Sequence, residues 1–184
     1  MHTADSRVRL VPLRSLDSRA WRRIQQHFRD PEIAHLNGTP PNRVPLWMLR
    51  SALWLDNLRS DRELFGVIAD DDEFIGLVQL YDIRQDTGTM GIIIGEKEYW
   101  GRGYGTEAVR QLLEIAFTEL GLKQVKLSTY VDNPRAQASF KKAGFRELHR
   151  EVKPGDRDRL SIWMSIPKER WQAEFRNPPP RRTP

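Results

Sequence analysis

Apolar and polar residues alternate along residues 7–13 (Arg-Val-Arg-Leu-Val-Pro-Leu), the period-two pattern of a half-buried strand. Helical spacing follows. Ala20, Trp21, Ile24 and Phe28 share one face, Asp17 or Ser18 can cap it, and Asp30-Pro31 ends it. Residues 37–41 (Asn-Gly-Thr-Pro-Pro) read as a loop. Leu46, Leu49, Leu53 and Trp54 then mark a second helix over 45–58. The period returns to two, predicting strands at 64–69, 74–81 and 90–94. Turns are expected at 70–73 (Asp-Asp-Asp-Glu) and 86–88 (Asp-Thr-Gly), and connections that short make an antiparallel meander.

The strongest helix comes next, with stripes Ala108, Leu112, Ala116, Leu120 and Val109, Leu113, Phe117, and Gly121 placed to stop it. A strand is predicted at 125–131, and Pro134 opens a helix that runs to 143. Strands follow near 146–152 and at the alternating Leu160, Ile162 and Met164, and Pro167 starts a short helix through Trp171. Residues 177–184 (Asn-Pro-Pro-Pro-Arg-Arg-Thr-Pro) are too rich in proline to pack and are expected to be a disordered tail. The order β-α-α-β-β-β-α-β-α-β-β describes one α/β domain over residues 1–176. It is a mixed sheet with helices on both faces, in which a meander precedes a single β-α-β crossover.

At 184 residues and 39% apolar content, the chain can bury one sizeable core. Cysteine is absent, which excludes disulfides, thiolate metal ligands and a cysteine nucleophile. His2, His27, His35 and His149 are scattered without the spacing of a metal pair, so no metal is expected. No apolar run reaches membrane length, and the opening Met-His-Thr-Ala-Asp lacks the apolar centre of a signal peptide. A cytoplasmic protein with no membrane partner is expected. The net charge of +5 favours anionic partners. Nucleic acid is not expected among them, because the arginines are spread along the chain rather than forming a stripe interleaved with aromatics.

Between meander and crossover helix stands Trp100-Gly101-Arg102-Gly103-Tyr104-Gly105-Thr106-Glu107-Ala108. Glycines let backbone N–H groups converge with no Cβ in the way. A helix start adds unpaired N–H groups and a partial positive charge, so the segment suits a pyrophosphate. A plain flexible turn is one reading. Gly103-x-Gly105-x-x-Ala108 also fits the dinucleotide fingerprint, but that loop belongs to the first unit of a parallel fold, and three antiparallel strands precede it here. A phosphate-binding P-loop lacks its Gly-Lys-Ser/Thr.

The third reading is carried by a resemblance. From Trp100 to Gly105 the segment resembles the [Q/R]-x-x-G-x-[G/A] coenzyme A loop of the GNAT N-acetyltransferase superfamily, with Trp100 where that family usually has Gln or Arg. Trp at this place is similar to the RimJ/RimL-like subgroup. Residues Asn133 to Phe145 resemble a second family signature, N-x-x-A-x-x-x-[Y/F]-x-K-x-G-F. Arg9-Leu10-Val11-Pro12-Leu13, Ile162-Trp163-Met164 and Trp171 extend the likeness over residues 7–171.

Such a resemblance implies that the strands at 90–94 and 125–131 splay apart around the pantetheine arm of acetyl-CoA. Carried over residue by residue, Ile93, Ile94 and Gly95 would pair with the arm. Backbone N–H groups from Gly101 through Arg102, Gly103, Tyr104 and Gly105 to Thr106 would meet the pyrophosphate, with charge added by Arg102. Asn133 would hydrogen-bond the arm, and before Pro134 it also fits an Asx-turn. The tyrosine that protonates the leaving thiolate in many relatives is Phe140 here, expected to pack near the thioester. Ser139 is then the neighbouring hydroxyl, with Tyr130 and Tyr104 as further candidates. Glu96 is expected as general base, Glu98 and Asp132 as alternatives. The acceptor side is expected from the two N-terminal helices and the loops at 70–73 and 153–158, with Trp47 and Trp54 either lining it or serving the core. The implied reaction moves acetyl from acetyl-CoA to a primary amine, either a protein N-terminal α-amine or a small molecule. A catalytically degenerate coenzyme A-binding module is the alternative that Phe140 raises. A homodimer is the expected assembly.

Overall fold

A computed structural model describes residues 6–152 and 159–176. The expected tail at 177–184 and the loop at 153–158 lie outside the described residues. Seven strands form one sheet: β1 (Val8–Pro12), β2 (Glu63–Ala69), β3 (Phe74–Arg84), β4 (Thr87–Ile94), β5 (Gln124–Tyr130), β6 (Arg146–Val152) and β7 (Leu160–Pro167). Their spatial order is β1-β2-β3-β4-β5-β7-β6. Among the described strand pairs only β4–β5 is parallel. That pair is joined by the crossover helix α4 (Tyr104–Glu114), as the sequence predicts.

Helices cover both faces. α4 packs Val109, Leu112 and Leu113 into a core with Val67, Ile75 and Val78. On the other face α1 (Ser18–Arg29) sets Trp21 and Ile24 among Leu64, Ile68, Phe74 and Leu77. Successive residues of β2 and β3 thus feed two separate cores, which is why both strands read as near-continuous apolar runs. The remaining helices are α2 (Pro31–Asn37), α3 (Leu46–Asn57), α5 (Pro134–Lys142) and α6 (Lys168–Trp171).

Four local expectations change. Asp30-Pro31 ends α1, but it also begins α2, a helix the pattern did not predict. Asp30 Oδ1 accepts from the N–H groups of Glu32 and Ile33, and Pro31 takes the first helical position. The β3–β4 turn falls at Gln85–Asp86 rather than 86–88. Gln85 takes the positive φ of 51° that the tight connection needs, leaving Thr87 and Gly88 to pair with β5. The crossover helix loosens into a π turn over Ile115–Glu119 before Gly121. Trp54 and Trp47 on α3 are 44% and 67% exposed, so neither belongs to the core. α3 is apolar nearly all round and buries only Leu49 fully.

Candidate active site

β4 and β5 pair only at their first residues, Thr87 with Gln124, Gly88 with Val125 and Thr89 with Lys126. Beyond that point β4 stays on β3 as far as Ile94 opposite Gly76, and β5 stays on β7 as far as Tyr130 opposite Ser161. The two strands therefore diverge, each anchored to its outer neighbour. The Gly95 N–H donates to the Ile75 carbonyl on β3 at 2.8 Å, and the Ile94 carbonyl instead accepts from the Trp100 indole N–H at 2.6 Å. By strand alternation the backbone groups of Ile92 and Ile94 face the gap, and those of Ile93 and Gly95 face β3. Ile92, Ile93 and Ile94 all line the cavity that the gap opens.

At one end of this cavity lies the glycine segment. Gly101 and Gly103 hold φ of 73° and 95°, a region costly for any residue with a Cβ, and Gly103 is the N-cap of α4. No described side chain caps that helix start, so its first N–H groups are open to another acceptor. Gly101, Gly103, Gly105 and Thr106 line the cavity. The side chains of Tyr104 and Arg102 are committed elsewhere. The Tyr104 hydroxyl donates to Asp70 at 2.9 Å, which raises its pKa and removes it as an acid near the cavity. Arg102 lies over the Tyr99 and Tyr104 rings and donates to the Glu98 carbonyl. Tyr99 donates to Asp71, which holds its proton well above the usual phenol range. The β2–β3 turn thus buttresses the glycine loop from behind, with Asp72 paired to Arg9 and Glu73 to Arg19 and Arg23. This turn does not line the cavity, contrary to the expectation that placed it on the acceptor side.

α5 supplies the facing wall. Asn133 caps it, with Oδ1 accepting from the Ala136 N–H at 3.1 Å, while the residue also lines the cavity. Both roles read from the sequence are therefore geometrically compatible. Phe140 lines the cavity and packs against Phe145 at 6.1 Å between centroids. Ser139 Oγ lies 2.8 Å from Thr106 Oγ1, so the hydroxyl stands beside the first turn of α4. Arg135 and Lys142 are two lining cations given no role from the sequence, although Lys142 is the fixed lysine of the second signature, and Arg135 rests 3.4 Å above the Trp100 ring.

Glu96 is drawn away from the cavity toward α1. Its Oε1 accepts from His27 Nε2 at 2.9 Å and faces Arg23 Nη1 at 3.4 Å. Burial lowers the pKa of His27 despite Glu96, so at neutral pH the ring is neutral and donates from Nε2. The ring packs flat on Gly95, where a Cβ would come within 2.1 Å of it. Glu98 is exposed. Asp132 is held bidentately by Arg159; burial pushes its pKa up, but Arg159 outweighs this and keeps it low. No carboxylate or imidazole is among the lining residues described. The cavity continues instead to Ile33, Leu36 and Asn37 of α2. Sequence reasoning missed that wall, although Asp-Pro-Glu is a helix-start signature. Among the described residues no cluster of three metal-ligating side chains occurs, and no helix is long and apolar enough to cross a membrane.

The arrangement has counterparts. Residues 7–146 match the family model described as the acetyltransferase (GNAT) domain. The chain is 28% identical over 140 residues to an uncharacterized N-acetyltransferase, p20, of Bacillus licheniformis, spanning 70% of this chain and 77% of that one. It is 25% identical over 187 residues to the FsC-acetyl coenzyme A-N(2)-transacetylase of Aspergillus fumigatus, covering 93% and 77% of the two chains. A solved spermidine N-acetyltransferase from Vibrio cholerae, in complex with CoA and spermine, has the same fold. Its TM-score is 0.77 at 23% identity, over 90% of this chain and 98% of that one. Diverging strands, an uncapped glycine-rich helix start and a family match over most of the sequence lead to one assignment: this chain belongs to the GNAT acetyltransferase family and is an acetyl-CoA-dependent acyltransferase.

Proposed function

We propose that the protein acetylates a weakly basic primary amine, such as the α-amine of a protein N-terminus or of a small molecule. One observation carries this reading: the cavity joins an uncapped helix start to diverging strands, yet none of its described lining residues is a carboxylate or a histidine. The helix start and the lining cations Arg135 and Lys142 suit the phosphates of acetyl-CoA. The gap-facing backbone of Ile92 and Ile94 and the amide of Asn133 suit its pantetheine arm, and backbone N–H groups there would stabilise the oxyanion of the thioester carbonyl. Phe140 supports the arm by packing. Ser139, paired with Thr106, offers a hydroxyl hydrogen bond on the same side.

With no carboxylate or histidine among the described lining residues, the amine has to arrive neutral and lose its second proton through water. A lysine-type amine of pKa ~10.4 gives up about 4.6 kcal/mol to be neutral at pH 7, whereas an α-amine of pKa ~7.7–8.0 gives up only about 1–1.4 kcal/mol. A polycation such as spermine meets no carboxylate counter-charge among the described lining residues. The RimJ/RimL-like loop and a cytoplasmic location belong to this reading.

Thiol release from acetyl-CoA at pH 7, measured across amines of graded pKa, tests it. The expected outcome is kcat/KM rising as amine pKa falls toward 7.7. A preference for strongly basic polyamines would overturn the acceptor class. Tight CoA binding with no turnover on any amine would favour the degenerate binding module that Phe140 raises.

A further inference from the structure

α2 occupies an unusual position for so short a helix. Its N-terminal end is tied to the segment that follows β4: Lys97 Nζ reaches Asp30 at 2.9 Å and Glu32 at 2.7 Å. Its C-terminal end is tied to the ends of β5 and β7. Arg159 Nη1 donates to the His35 carbonyl at 2.7 Å, and Nη2 grips both Asp132 oxygens at 2.9 and 3.0 Å. The Arg159 guanidinium also covers the Tyr130 ring at 3.7 Å. Tyr130 in turn packs on Gly38 just past α2, where a Cβ would sit 1.7 Å from its hydroxyl. His35 Nε2 faces Asp132 at 3.4 Å from the same side.

The dimensions agree with these ties. Seven residues of helix span about 10 Å, and two strand spacings of ~4.8 Å cover the same distance. α2 is thus long enough to bridge an opening one strand wide. Ile33, Leu36 and Asn37 line the cavity from α2, and Gly101, Gly103 and Gly105 line it from the glycine loop.

We infer that α2 is a crossbar over the diverging strands, and that the Arg159–Asp132 pin sets which acceptors pass beneath it. This rests on the acetyl-transfer reading, with the donor entering between the glycine loop and α5 and the acceptor from the side of α2. A pinned crossbar admits an α-amine on an unsubstituted carbon, as in an N-terminal glycine, and disfavours one whose neighbouring carbon carries a branched side chain. Arg159 and Asp132 are then specificity-determining residues that touch neither donor nor reacting atoms. The Lys97 side chain is 43% exposed against 17% for that of Arg159, so its pin is the more screened by solvent at the cation.

The test uses the full chain and Arg159→Met, which keeps the stem and removes the guanidinium. Amide hydrogen exchange across residues 33–38 is expected to quicken at least tenfold. The ratio of kcat/KM for a tetrapeptide that begins with valine over that for one that begins with glycine is expected to rise at least fivefold, with the KM for acetyl-CoA within twofold of wild type. Unchanged exchange overturns the crossbar. Faster exchange with an unchanged ratio, or a parallel rise in the KM for acetyl-CoA, overturns its role in selection. Should Arg159→Met fail to fold, Asp132→Asn, which keeps an acceptor oxygen, carries the same readouts. Wild-type protein that turns over neither peptide refutes the proposed α-amine acceptor, and with it a gate for such acceptors, whereas a wild-type rate with an unmoved ratio refutes the gate alone.

Discussion

At the scale of single residues, most side chains around the cavity have a structural task that narrows what they can do chemically. Gly105 is an instructive exception. It sits in the first turn of α4, and a Cβ there would meet only ordinary contacts, Ile94 Cγ1 at 3.5 Å and Ser139 Oγ at 3.7 Å. Gly105→Ala should therefore relieve the glycine cost of roughly 0.5–1 kcal/mol and raise Tm by about 1–4 °C. The same methyl group intrudes on the site for the donor, and the KM for acetyl-CoA should rise about tenfold, equivalent to ~1.4 kcal/mol. Calorimetry and initial rates on one preparation read both. His27 gives a pH signature. Burial lowers its folded-state pKa against the opposing pull of Glu96, with Arg23 and Asp30 the other charges felt by the ring. Below its unfolded pKa of ~6.5 the unfolded chain binds a proton that the folded one refuses, so this contribution is present above that pH and lost on acidification. Between pH 7 and 5.5, wild-type Tm should fall more steeply than that of His27→Gln; parallel profiles would remove His27 from the account.

Among the elements, the junction between α1 and α2 shows one residue serving two helices. Asp30 is the C-cap of α1 and the N-cap of α2, and its carboxylate also meets Lys97. Asp30→Ala should cost about 0.5–2 kcal/mol through the lost cap, and Asp30→Asn, which keeps an acceptor for the N–H groups, much less. Thermal melts of the two variants separate capping from charge. The same junction shows where pattern reading stops. Proline after a helix reads as a terminator, yet the chain turns at Asp30 and resumes helix at once, because φ near −65° suits the first turn of a new helix as well as the end of an old one. The meander, the crossover and α5 were legible because each repeats an apolar period over two or more turns or strands. α2, with only Ile33 and Ala34 buried, carries too short a stripe to stand out.

The molecule as a whole divides its charge in a way that suits a polyphosphorylated donor. Its excess of +5 is small, but Arg135, Lys142 and the α4 start meet at a cavity with no acidic residue among those described, so the local field is more positive than the net charge suggests. CoA at one hundred times its Kd should stabilise the fold by ~2.7 kcal/mol, a Tm rise of roughly 5–10 °C for a chain of this size. The rise should shrink as salt is added, because the phosphate contacts are screened. Differential scanning fluorimetry with and without CoA measures both; no shift at saturating CoA would contradict the donor site.

The sequence by itself determined the class of fold, the glycine loop, the capping asparagine and the phenylalanine that replaces a tyrosine. Each of these is written in a local period or a short motif whose chemistry depends on neighbours along the chain. Which groups the site finally offers was decided only in three dimensions. Strand parity turned Ile92 toward the gap and Gly95 toward β3, and an arginine far along the chain, Arg159, pinned α2 across the opening. The ring of His27, packed on Gly95, drew Glu96 into the α1 interface. Such outcomes depend on which distant carboxylate meets which cation, and on which face a strand presents, and no linear pattern of apolar and polar residues encodes either.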